Sequence, residues 1–170
     1  IRFIHYTPSE IPELGDGRIV TLFVDRGGTL WIALEGGRLV AFERGVARLH
    51  ISGGEINSQP IVAMAQDSSA TLWFQTSAGD LGKLTTSGVE ICARLGGAML
   101  RPNRVLINDA NGEIWVGTPD GLKQWHAGKL MVPDSWPAAL RGIMDSASPA
   151  HDGSILAFRS VSFFETQRYG

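Results

Sequence analysis

The side chains able to do chemistry are scattered along this chain. Its four histidines, His5, His50, His126 and His151, show no His-x-x-x-His or His-x-x-Glu spacing, the arrangement that sets two metal ligands on one face of an element. No metal ion or other cofactor is therefore expected. Cys92 is the lone cysteine, which excludes an internal disulfide and a thiolate cluster. There is no Gly-x-Ser-x-Gly elbow, and no carboxylate pair stands apart from the many turn aspartates. Glu35-Gly-Gly and Asp120-Gly lack the strand-to-helix setting of a phosphate cradle and read as turn chemistry. Acid–base and nucleophilic catalysis thus have no visible centre. What remains is recognition by charged and aromatic side chains held in loops.

The elements that would hold those loops are set out by a repeat. DRGGTLWIAL from Asp25, DSSATLWFQT from Asp67 and DANGEIWVGT from Asp109 share one pattern, and both their aspartates and their tryptophans (Trp31, Trp73, Trp115) recur every 42 residues. Each unit divides into four short apolar runs. In the first these are Ile19 to Val24 (strand a), Thr29 to Leu34 (b), Arg38 to Glu43 (c) and Val46 to Ile51 (d), all rich in β-branched and aromatic residues. A period of about 40–45 residues with four strands is that of one β-propeller blade. Strand a is apolar on both faces in the first two units, as suits a sheet packed between two others. Between a and b, the aspartate can accept turn amides while the glycine three residues on takes a positive φ. Ala70 holds that glycine's place in the second unit, so a strained or different turn is expected there.

The expected fold class is an all-β propeller of about four blades, near 19–51, 61–94, 103–133 and 143–170, the last completed by the strand-like segment 1–7. The fourth unit is eroded: Leu156 stands in the tryptophan slot and Ala150 in the aspartate slot. Three assemblies satisfy the pattern. The N-terminal strand closes a four-bladed ring, a second chain completes an eight-bladed one, or the module is an excerpt of a longer array.

The recurrent tryptophans share one strand-b slot and read as inter-blade packing, each indole needing a local acceptor. Trp125, in the slot of Phe42 and Leu84, is also expected in the core. Trp136, in the loop MVPDSWPAALRG, is the aromatic contact candidate. By fold-level analogy, propeller sites lie in the b–c and d–a loops. These offer Glu35, Arg38, Gln59, Asp80, Arg104, Asp120, Trp136 and Arg141 as ligand-binding candidates on a polar, mixed-charge mouth.

Charge limits the partners. With 15 Lys and Arg against 17 Asp and Glu the chain is near neutral, which leaves no footprint for nucleic acid. No apolar stretch approaches the ~20 residues of a membrane span. A membrane is expected only through segments outside this chain, which opens at Ile1 and reads as a piece of something longer.

DANGEIWVGTPDGL, Asp109 to Leu122, resembles the two-component regulator propeller repeat. That resemblance implies a non-catalytic ligand-sensing or protein-interaction module on the extracytoplasmic, periplasmic side of a membrane-anchored signalling protein. Its partner would be a small molecule such as a saccharide, or a further copy through the blades. ATLWFQTSAGDLGKLTTSG, Ala70 to Gly88, is similar to blades of the streptogramin (virginiamycin B) lyase family. This second resemblance implies a metal-dependent lyase-like enzyme using acidic and histidine residues on one face of a ring. A structural propeller fragment with no retained site is the third alternative.

Overall fold

The computed structural model describes residues 5–7, 9–95, 105–132, 142, 144–150, 152, 154–160 and 166–169. The described residues form an all-β fold of the propeller class, with three four-stranded sheets and one three-stranded sheet, each an antiparallel meander. The first sheet runs β1 (Ile19–Val24), β2 (Leu30–Leu34), β3 (Leu39–Glu43) and β4 (Val46–Ile51). The second comprises β5 (Ile61–Gln66), β6 (Leu72–Thr76), β7 (Asp80–Thr85) and β8 (Gly88–Arg94). The third comprises β9 (Leu106–Asn108), β10 (Ile114–Thr118), β11 (Gly121–His126) and β12 (Lys129–Met131), and the fourth β13 (Ser146–Pro149), β14 (Ile155–Ser160) and β15 (Thr166–Tyr169). Among the described residues no helix is long and apolar enough to cross a membrane.

The chain falls into two compact units, Ile1–Ile61 and Val62–Gly170. Unit 1 holds blade 1. Its core is Ile32, Leu34 and Val40, with Leu14, Leu30, Phe42 and Ala47 packed around them. Unit 2 holds the other three blades, stacked face to face. Ala63, Ala65, Trp73 and Leu81 of blade 2 share one apolar cluster with Leu106, Ile114 and Val116 of blade 3. Val105, Trp115 and Leu122 of blade 3 share another with Met144 and Ala157. Each such large apolar side chain contributes about 1.5–3 kcal/mol by leaving water. Trp73 and Trp115 thus lie between blades, and Trp125 packs on Trp73 with ring centroids 5.6 Å apart.

At the seam between blades 2 and 3, Gln75 is fully buried and donates its Nε2–H to the Gly117 carbonyl at 3.3 Å. Its Oε1 has no hydrogen-bond partner among the described residues.

One expectation for strand a needs correction. β5 is buried at all six positions, but in β1 Ile19, Leu22 and Val24 are more than half exposed. Unit 1 contains a single sheet, so no second blade within it covers that side. Of the segment expected to complete the fourth blade, residues 1–4 lie outside the described residues. His5, Tyr6 and Thr7 form no strand, and Tyr6 sets its ring edge-on to Phe42 of blade 1, centroids 5.3 Å apart.

Candidate functional site

Each intact blade is fastened by one clip that begins at its aspartate. Asp25 Oδ1 accepts the Thr29 amide at 2.9 Å and its Oδ2 accepts the Trp31 indole N–H at 2.9 Å. Asp67 does the same for Thr71 and Trp73, and Asp109 for Glu113 and Trp115, all between 2.8 and 3.0 Å. Burial works to raise the Asp25 carboxyl, but the Trp31 indole and the Thr29 and Gly27 amides outweigh it and hold the group below its ordinary value. Gly28 and Gly112 take φ of 86° and 77° in these turns, and Ala70 takes 64°. The second turn is therefore the same turn, with an alanine in the left-handed region where Cβ is unfavourable.

At the opposite end of blade 1 the b–c loop and the d–a connection meet closely. A Cβ on Gly53 would sit 2.2 Å from the Gly36 carbonyl, and one on Gly37 would sit 2.8 Å from the Gln59 carbonyl. Within the connection, Asn57 caps the turn Gly54–Ile56 at φ 51°, a left-handed position that asparagine tolerates, and Ser58 follows at φ 55°, which costs a serine about 1–2 kcal/mol. Glu55 accepts the Ser52 hydroxyl at 2.8 Å and the Gly53 amide at 3.1 Å. Its own backbone amide and these Ser52 and Gly53 donors hold its pKa down.

Glu35 and Gln59 thus belong to one end of blade 1, and Glu35 pairs with Arg18 at 3.6 Å. Arg38 is committed locally, its guanidinium donating to the Leu14 and Glu13 carbonyls. In unit 2, Asp80 opens β7, its amide donating to Thr76 Oγ1 at 3.1 Å. Asp120 is exposed and bridges to Lys123 at 3.1 Å. Arg104, Trp136 and Arg141 lie outside the described residues.

In blades 1 and 2 the sheet face that bears the tryptophan carries a second set of groups, which the repeat alone does not single out. Strand d is bulged at the same point in blades 1 and 2, where the register shifts opposite Leu39/Val40 and Leu81/Gly82. The extra residues are His50 and Cys92. A bulge re-aims the side chain it carries: His50 meets Trp31 edge-on at 4.9 Å, and Cys92 packs against the Trp73 cluster. Burial pushes the Cys92 thiol up to about 11, with Glu90 adding to the rise and Lys83 opposing it. The thiol is therefore protonated, and a poor nucleophile, at neutral pH. Desolvation and the Arg48 charge hold His50 below the usual histidine value.

The donor set that a lyase-type metal would need does not come together here: among the described residues no three His, Cys, Asp or Glu side chains gather. His50 is turned onto Trp31, and His126 pairs with Lys129 across a hairpin.

No protein-family model matches the sequence, and no curated protein matches it. Solved structures do match. The chain is similar to virginiamycin B lyase from Staphylococcus aureus, with a TM-score of 0.59 and 13% identity over 91% of this chain and 56% of the lyase. It is similar to the extracellular domain of a hybrid two-component system from B. thetaiotaomicron, with a TM-score of 0.64 and 17% identity over 91% of this chain and 20% of that one. A gluconolactonase from Xanthomonas campestris matches with a TM-score of 0.58 and 10% identity, over 85% of this chain and 56% of the other. The chain therefore spans little more than half, or much less, of these proteins. At such identities the likeness establishes the β-propeller fold, which sensor domains and enzymes share.

Proposed function

We propose that this chain is a ligand-sensing or interaction propeller module, part of the extracytoplasmic region of a signalling protein, and that it binds a small molecule such as a saccharide at the loop end of its blades. The observation that carries this reading is the junction in blade 1. There two loops approach too closely for any side chain at Gly53 or Gly37, and the adjoining Ser58 holds a costly left-handed conformation. Strain of this kind persists where a rigid scaffold pre-organises a surface. The likeness to the extracellular domain of a two-component system supports the sensor class and the location. Glu35 and Gln59 of blade 1, and separately Asp80 and Asp120 on the loops of blades 2 and 3, are proposed to face a ligand, or a second copy if the module self-associates, while the Arg38 guanidinium is held by the Leu14 and Glu13 carbonyls.

A thermal-shift screen of oligosaccharides, peptides and amino acids tests this, because a ligand that binds the folded state must raise its melting temperature. The expected result is a saturable rise with at least one ligand, diminished in Glu35→Ala and Gln59→Ala. No rise with any ligand, together with a monomer by light scattering, would leave the structural-fragment reading in its place. The 91% coverage by the lyase fold favours one further test. A lyase-like enzyme would cleave a streptogramin B and lose that activity on chelation, whereas an inert protein would exclude this alternative.

A further inference from the structure

On the face of blade 1 that carries Trp31 lies a cavity of about 420 Å³, bounded by Trp31, Ala41, Glu43, Arg44, Arg48 and His50. Its size falls within the ~300–1,000 Å³ of small-molecule sites. Its lining differs from the same face of blade 2 at two paired positions. Strand pairing sets Ala41 opposite Trp31, and Arg48 opposite Ala41. The same places in blade 2 hold Lys83 opposite Trp73, and Glu90 opposite Lys83. Directly paired residues share one face of a sheet, so in blade 2 Lys83 lies over the indole, its ammonium 5.7 Å from the ring centroid, and binds Glu90 at 3.2 Å. Space and charge are both taken up internally.

In blade 1 neither is taken up. Ala41 ends at Cβ and does not cover the indole as Lys83 does, so an edge of the ring of Trp31, a residue 8% exposed overall, forms part of the cavity wall. Arg48 puts a positive charge where blade 2 has a negative one, and it forms no ion pair among the described residues. Glu43, the acid at the rim, is turned to Arg44 at 3.5 Å. The cavity thus offers an apolar ring edge, an imidazole wall and one guanidinium that forms no ion pair among the described residues. A guanidinium fork matches the geometry of a carboxylate, and flat rings pack favourably edge-on or offset against an aromatic wall.

We propose that this cavity binds a small ring-bearing carboxylate, with its ring against Trp31 and His50 and its carboxylate on Arg48. The site is separate from the loop end described above and does not depend on it.

Benzoate and glucuronate are the probes, with benzamide and glucose as their uncharged counterparts. Each is titrated into the full chain by calorimetry, and by NMR on the Trp31 indole N–H assigned through Trp31→Phe. At least one carboxylate should bind saturably and shift that resonance, and which one does so decides between an aromatic and a sugar acid. Its neutral counterpart should not bind. Arg48→Gln should weaken binding about tenfold or more, the loss of a charge-assisted pair. The double variant Ala41→Lys/Arg48→Glu, which rebuilds the filling of blade 2, should abolish binding without lowering the melting temperature. If the double variant misfolds, Arg48→Gln alone decides. Saturable binding of neither carboxylate, equal binding of a neutral counterpart, or an Arg48→Gln variant that binds like the parent would each overturn the proposal.

Discussion

Blades 1 and 2 carry the same clip, the same strand order and the same bulge in strand d, yet their tryptophan faces have opposite characters. Over Trp73 the blade is finished: Lys83, Glu90 and Cys92 fill the face and cancel its charge. Over Trp31 Ala41, Arg48 and His50 leave a cavity, and Arg48 forms no ion pair among the described residues. The difference shows that the frame and the content of a blade are specified by separate residues. Aspartate, tryptophan and the bulge set the frame, while the residues paired opposite the tryptophan are free to change.

Trp73→Ala would strike this comparison hardest. It removes the ring that joins blades 2 and 3 and should cost about 3–5 kcal/mol by denaturant titration. Lesser costs would mean that the seam collapses around the loss.

Asp67→Ala and Asp25→Ala each leave an indole N–H and an amide without their acceptor and should cost about 1–3 kcal/mol apiece. For Asp25 the pH dependence is also fixed in sign. The stability it lends is present above the ordinary carboxylate pKa, and is lost as the pH falls through its lowered folded value. An Asp25→Ala variant should therefore show a flatter acid limb than the parent.

The turns give a gain set against a loss. Ala70→Gly should stabilise by about 1 kcal/mol, since the residue already stands at φ 64°. Gly112→Ala should destabilise by more than that, because its Cβ would also meet Ser68 at 2.6 Å. Melting curves of the two variants moving in the same direction would refute the shared turn.

The smallest effect is expected for Lys83→Ala, which opens in blade 2 the space that Ala41 leaves in blade 1. It should cost less than about 1 kcal/mol, since the Lys83–Glu90 pair is partly exposed.

What the sequence disclosed follows the same division. Asp25, Asp67 and Asp109, with Trp31, Trp73 and Trp115, stand out because the frame repeats. The strands of blade 1 fall within a residue of their expected ends for the same reason. The Trp31 cavity could not be read that way, because Ala41 and Arg48 are informative through their departure from Lys83 and Glu90, and a search for recurrence passes over departures. The bulge was also hidden: one extra residue in strand d leaves the alternation of VARLHI looking ordinary, although it is what turns His50 onto the indole. Arg38 was legible as a loop cation but not as a clamp, since the carbonyls it holds lie in a short turn over 20 residues upstream. The exposed strand a of blade 1 reflects which neighbours it has, and apolar composition alone does not specify neighbours.

The clip has a consequence for how such a chain changes over time. Each one closes its own hydrogen bonds within a span of seven residues, from Asp25 to Trp31 in the first blade, although the second and third turns also touch, Ser68 donating its amide to the Gly112 carbonyl at 3.3 Å. A 42-residue unit therefore travels with its own fastener, so a blade can be duplicated, deleted or exchanged as an interchangeable part. The cargo on its tryptophan face can diverge afterwards, link by link, without loosening the others.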